Sequence, residues 1–105
     1  MRLFDIFKAK PKPNIALNTA VFTTKNVINE NALITRIYHG SDNALQFFDD
    51  NSTNSNANIM LVSLGEIIDK DNSVTEAVNM ASGNFASRKA KKDKWSIEPY
   101  VEVEE

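Results

Sequence analysis

Three groups of side chains in this chain are of types that do chemistry. Asp42, Asp49 and Asp50, with Asn51 and Asn54 nearby, offer the oxygen ligands that Ca²⁺ and Mg²⁺ take, or paired carboxylates for acid–base work. The sixth-position Gly and twelfth-position Glu of a calcium loop are missing, so these residues read as a solvated acidic surface and no metal is expected. The single histidine, His39, stands in Tyr38-His39-Gly40 among turn formers. Asp42 is the one local group that could orient it as a base, and no second histidine exists for a metal pair, so it reads as an exposed turn residue. Arg88, Lys89, Lys91, Lys92 and Lys94 adjoin Trp95, which joins cations for phosphate to an aromatic ring for stacking.

Composition narrows what these groups do. Cysteine is absent, which removes disulfides, thiolate zinc sites and a thiol nucleophile and fits a reducing, cytoplasmic setting. Gly40, Gly65 and Gly83 are far apart and form no phosphate-binding loop. The net charge of -2 weighs against nucleic acid as partner, since no basic footprint extends over the whole domain. No apolar run approaches the roughly 20 residues that cross a bilayer, and Asp5 with no small-residue cleavage site after it argues against a secretory leader. No cofactor and no enzymatic activity are expected.

The elements that must position these residues are set out by capping and alternation. Two capping boxes, Ser63-Leu64-Gly65-Glu66 and Ser73-Val74-Thr75-Glu76, come after the apolar run Ile59-Met60-Leu61-Val62. One buried strand therefore feeds two short helices, each Ser accepting from the N–H three residues on. Because residues 59–62 are apolar on both faces, they are expected in the middle of a sheet covered on both sides. Residues 20–24 read as a first strand, with Val27 and Ile28 closing a turn onto the core. Residues 33–38 and 44–48 read as an antiparallel hairpin about the turn at 39–43. Val74, Ala77, Val78 and Ala81 give the second helix an apolar stripe that stops at Ser82-Gly83. A closing hairpin spans residues 84–89 and 94–98, with the lysines at its tip and pairing that weakens at Pro99. Most of Trp95, Phe22, Phe47, Phe48 and Phe85 are expected in the core.

The expected fold is thus α+β, a mostly antiparallel sheet with two short capped helices packed on it. Residues 1–17 form an arm and linker, residues 18–100 a single domain, and residues 101–105 an acidic tail. The asparagine-rich stretch 51–58 reads as a surface loop.

In order and pattern, Ala20-Val21-Phe22-Thr23-Thr24-Lys25-Asn26-Val27, residues 33–38 and Asp42-Asn43-Ala44-Leu45-Gln46-Phe47-Phe48-Asp49-Asp50 resemble a family of small bacterial domains of unknown function. That family includes immunity-protein-like members of toxin systems. The resemblance runs over residues 18 to 100 and takes in an apolar strand, a Leu-containing helix start and a closing hairpin. Ala44-Leu45 depart from it, standing where the family has Gly-Trp. What it implies is a non-enzymatic protein that works by binding another protein, as an immunity-like inhibitor does. On that expectation Asp42, Asp49 and Asp50 form the partner-binding surface, since carboxylates meet a basic cleft and speed encounter. The alternative is nucleic-acid binding through the basic hairpin at 88–94. The closing hairpin also offers an edge on which a second copy can pair, so a homodimer is open.

Overall fold

The computed structural model describes residues 13–50 and 58–100. The expected arm over residues 1–12, most of the asparagine-rich loop and the acidic tail lie outside the described residues.

The β-branched run Ala20–Thr24 forms β1, and its last residue caps the next element. Thr24 Oγ1 accepts from Val27 N, so Lys25–Glu30 is a short helix, α1, rather than the expected turn. Asn31 closes it in the left-handed region, at φ 56°. Strands β2 (Arg36–His39) and β3 (Leu45–Phe48) make the expected hairpin. β4 (Ile59–Ser63) then runs into α2 (Leu64–Lys70), where Ser63 Oγ accepts from Glu66 N at 3.1 Å as the first capping box requires.

The second box does not form. Asp71, not Ser73, caps a 3₁₀ turn over Asn72–Val74, which leads into the four-residue α3 (Thr75–Val78). Asp71 stands two residues earlier and its carboxylate takes both the N–H and the hydroxyl of Ser73, so the hydroxyl is already engaged. β5 (Asn84–Ser87) and β6 (Ser96–Pro99) close the chain as an antiparallel hairpin, with Pro99 the last residue to pair.

The six strands form one mixed sheet in the order β4-β1-β3-β2-β5-β6. Every neighbouring pair is antiparallel except β1 and β3. The protein is therefore α+β with a mostly antiparallel sheet and a few short helices. Successive strand residues face opposite sides, and one side holds Val21, Ile37, Leu45, Phe47 and Ala86, all buried. Val27, Leu64, Ile67, Val74, Ala77 and Val78 from the helical segments complete this core. The described helices thus cover only that side.

β4 is an edge strand, contrary to the expectation of a central one, and Leu61 on it is 61% exposed. Its second apolar face continues the other side of the sheet, over which no second layer lies among the described residues. Gly65 sits close beneath residue 17: its N–H donates to the Leu17 carbonyl at 2.9 Å, and an added Cβ would lie 3.4 Å from that oxygen. This close approach ties residues 13–19 to α2, and Asn14 N donates to Asn79 Oδ1 beside α3.

Gly83 takes φ +86° between α3 and β5, donates to the His39 carbonyl and accepts from Tyr100 N. No atom stands within 4 Å of an added Cβ, so only backbone strain opposes a side chain there. Gly83→Ala is expected to destabilise the fold by about 1 kcal/mol and to lower the melting temperature by roughly 4–8 °C. Gly83→Asn should cost less, because Asn tolerates the left-handed region. Thermal unfolding monitored by circular dichroism checks both.

Candidate functional site

The uncovered side of the sheet is where described side chains gather with no layer above them. Strand register places Leu61, Phe22, Gln46, Tyr38, Phe85 and Glu98 in one row across all six strands. A second row, Phe48, Arg36, Ser87 and Ser96, lies beside it. Tyr38 is the centre of the aromatic group. It stacks on Phe85 with centroids 5.6 Å apart and meets Phe48 and Tyr100 edge-on at 5.9 and 5.1 Å. Such offset and edge contacts are favoured by the ring quadrupoles and fix the rings in place.

Of the aromatic residues expected inside, only Phe47 is fully buried. Phe22 is 42% and Tyr100 37% exposed, and Phe48, Phe85 and Trp95 are half-buried. At the Arg36 end, a shallow groove of about 600 Å³ runs between Arg36, Asp50, Ser87, Lys89 and Lys94. It carries charges of both signs.

The three aspartates do not make one surface. Asp49 is 2% exposed, and its carboxylate accepts from Thr24 Oγ1, so it holds the start of α1 to the end of β3 and is turned away from solvent. Asp42 is exposed but its Oδ1 accepts from Ala44 N, which closes the β2–β3 turn. Asp50 is exposed and accepts from Thr35 Oγ1 at 3.0 Å. Asp42 and Asp50 lie beyond opposite ends of β3, which at roughly 3.3 Å per residue keeps them on the order of 15 Å or more apart.

The basic hairpin is divided in the same way. Lys89, Lys91, Lys92 and Lys94 are exposed, whereas Arg88 is 7% exposed and turned inward. Its Nη2 meets Asp71 Oδ2 at 2.6 Å, Nη1 donates to Ser73 Oγ and the Lys91 carbonyl, and Nε donates to the Ile34 carbonyl. Trp95 stacks on the guanidinium at 4.1 Å and donates from its indole N–H to the Ser73 carbonyl. Arg88 therefore joins the β5–β6 hairpin to the helical layer and is unavailable to a phosphate. A mixture of cations and tryptophan near a turn gives no sign, in sequence, of which cation turns in; the partner Asp71 lies on another element.

His39 is also internal. It is 7% exposed, and its Nδ1–H donates to the Met80 carbonyl at 3.0 Å. The turn proper begins after it, so it is the last residue of β2 and not an exposed turn residue. Among the described residues no hydrogen bond links it to Asp42, and no cluster of three or more His, Cys, Asp or Glu is placed to hold a metal. No described helix is long and apolar enough to cross a membrane. The open aromatic row is the feature that sequence reasoning missed; its signals were the apolar character of both faces of 59–62 and the strand-alternating Phe22, Tyr38 and Phe85.

Asp71 makes a pH prediction. Burial by itself would raise its carboxyl, but the hydrogen bonds from Ser73 and Arg88 and the nearby guanidinium charge outweigh that and hold it below the ordinary aspartate value. A carboxyl lowered in the folded state adds stability above its unfolded value, about pH 4, and that contribution is lost as the pH falls through the folded value. Denaturant titrations of the wild type should show this acid loss, and the double variant Asp71→Leu/Arg88→Met should lack its Asp71 part. Arg88→Ala alone is expected to cost about 3–5 kcal/mol, since it leaves a carboxylate buried without its cation.

Comparison of the chain with protein-family models, with curated proteins and with solved structures finds no match in any of the three.

Proposed function

We propose that this is a non-enzymatic protein-binding domain whose binding surface is the open face of the sheet. The observation that carries the reading is the row from Leu61 and Phe22 to Tyr38 and Phe85, with Tyr100 and Phe48 against it and no covering layer among the described residues. Protein interfaces have an apolar centre enriched in aromatic residues and arginine inside a polar rim. Here Glu98, Asp50, Lys89 and Lys94 are the exposed rim.

The partner is a folded protein with an apolar centre and carboxylates opposite Arg36, Lys89 and Lys94. The resemblance to small bacterial domains with immunity-protein-like members supports a toxin as that partner, held by surface complementarity without chemistry. Inhibition of this kind needs about 800 Å² per partner. The acidic contact first expected at Asp42, Asp49 and Asp50 gives way to this face, because burial removes Asp49 and β3 separates the other two.

Capture from source lysate with wild type and with the exposed-face variant Phe22→Ser/Tyr100→Ser, and then calorimetry on the recovered protein, tests the proposal. The double variant should weaken binding by about tenfold or more, while charge reversal at Asp42 leaves it within about twofold. A recovered partner that binds the double variant as well as wild type would overturn the assignment.

The exposed Lys89, Lys91, Lys92 and Lys94 keep the nucleic-acid reading in play as a direct comparison. Against it, Trp95, the ring that adjoins these lysines, is stacked on the Arg88 guanidinium and tied by its indole N–H to the Ser73 carbonyl. A labelled single-stranded oligonucleotide should show no shift at low salt. A complex that dissolves with salt and is lost in Lys91→Ala/Lys92→Ala/Lys94→Ala would favour the basic tip instead.

A further inference from the structure

We infer that the β4 edge is a self-association surface, on which a second copy of this chain adds its own β4 in antiparallel register to continue the sheet. This rests on the strand's edge; it shares Leu61 and Phe22 with the face proposed above for a partner, and the exchange of the β4 amides in the pure protein separates the two.

The two edges of the sheet differ. β6 is blunted: all four of its residues are exposed, Glu98 is charged, and Pro99 has no N–H to donate. β4 reads Ile-Met-Leu-Val-Ser, with no charge, proline or glycine over its five residues. Alternate residues of an antiparallel strand bond to each side. On the side away from β1, β4 has no strand neighbour among the described residues.

Self-pairing makes a specific demand, because a two-fold axis sets each side chain against a symmetry mate. A charge at the centre would face its own like charge. Centred on Leu61, the register puts Leu61 against Leu61 of the second copy, Met60 against its Val62 and Ile59 against its Ser63, with no charge opposed. Leu61 and its register neighbour Phe22 are 61% and 42% exposed at this end of the open face. The pairing would bring these four side chains into one continuous stripe, and cross-strand apolar pairs of this kind stabilise a sheet. Two five-residue strands and that stripe bury less than the roughly 1,200–2,000 Å² of a stable complex, so the dimer is weak, with a dissociation constant on the order of tens of micromolar.

Sedimentation equilibrium of the full chain over a range from low micromolar to about millimolar concentration reads this directly. Wild type should pass from monomer to dimer. Leu61→Lys and Leu61→Glu, at a site exposed enough to accept either, should each raise the dissociation constant by about tenfold or more, and an equimolar mixture of the two variants should regain a dimer. Concentration-dependent protection of the amides of residues 59–63 from hydrogen exchange, measured on wild type alone, provides the reading that needs no variant. A wild type that stays monomeric throughout, a dimer that survives Leu61→Lys, or amides of β4 whose protection ignores concentration would each overturn the inference.

Discussion

The guanidinium of Arg88 is where the two layers of this fold are fastened together. It leaves the end of β5, passes under Trp95 and ends on Asp71, the residue that caps the 3₁₀ turn leading to α3. Ser73 sits between the two ions and accepts from one while donating to the other. The Arg88 amide and side chain also bind the carbonyls of Thr35 and Ile34, just before β2. One side chain therefore sets three relations: the closing hairpin to the sheet, the helical segment to the hairpin, and the entry of β2 to both. A buried ion pair is a poor source of net stability, because desolvation of both partners offsets their attraction. Its value here is directional. Apolar contacts would hold the layers together in many registers, whereas a guanidinium bonded to Asp71, Ser73, Ile34 and Lys91 at once fits in one.

That fastening matters because the described helices cover the sheet on one side only. Six strands with the described helices on a single face leave the other face without a covering layer among the described residues, and antiparallel sheets ordinarily make such a face polar. This one is polar in part, at Gln46, Ser87, Ser96 and Glu98, but the centre of it is aromatic. The rings contact one another, so Tyr38 and Phe85 are half-buried with no second layer above them among the described residues. Offset and edge-on contacts of this kind bury part of each ring against its neighbours.

Local signals in the sequence were sufficient for local structure. The Ser63 box, the 84–98 hairpin, the hairpin about residues 39–43 and the strand at 20–24 all arise from residues within a few positions of one another. Where a nearby competitor existed, the local rule misled: Asp71 took the cap that Ser73 was expected to supply, and Thr24 began a helix where a turn was expected. The larger misplacements were all questions of what lies across the fold. β3 inserts beside β1 in parallel, leaving β4 at the edge, and nothing in Ile59-Met60-Leu61-Val62 distinguishes a strand buried under two layers from one whose second face is open. The burial of Asp49, Arg88 and His39 was hidden for the same reason, since their partners Thr24, Asp71 and Met80 are distant in the chain.

The charge layout comes from the same division. Once Arg88 and Asp71 have neutralised each other inside, and Asp49 is turned in toward Thr24, the exposed cations that remain on the hairpin are the lysines of its tip. Lys89 and Lys94 line the groove at the Arg36 end together with Asp50 and Asp93, while Glu98 lies at the end of the aromatic row. Charges of both signs therefore border the apolar centre in place of a field of one sign. Buried pairing thus does more than close the core: with Arg88, Asp71 and Asp49 turned inward, Arg36, Lys89, Lys94, Asp50 and Glu98 are left to border the broad apolar area that the described residues expose.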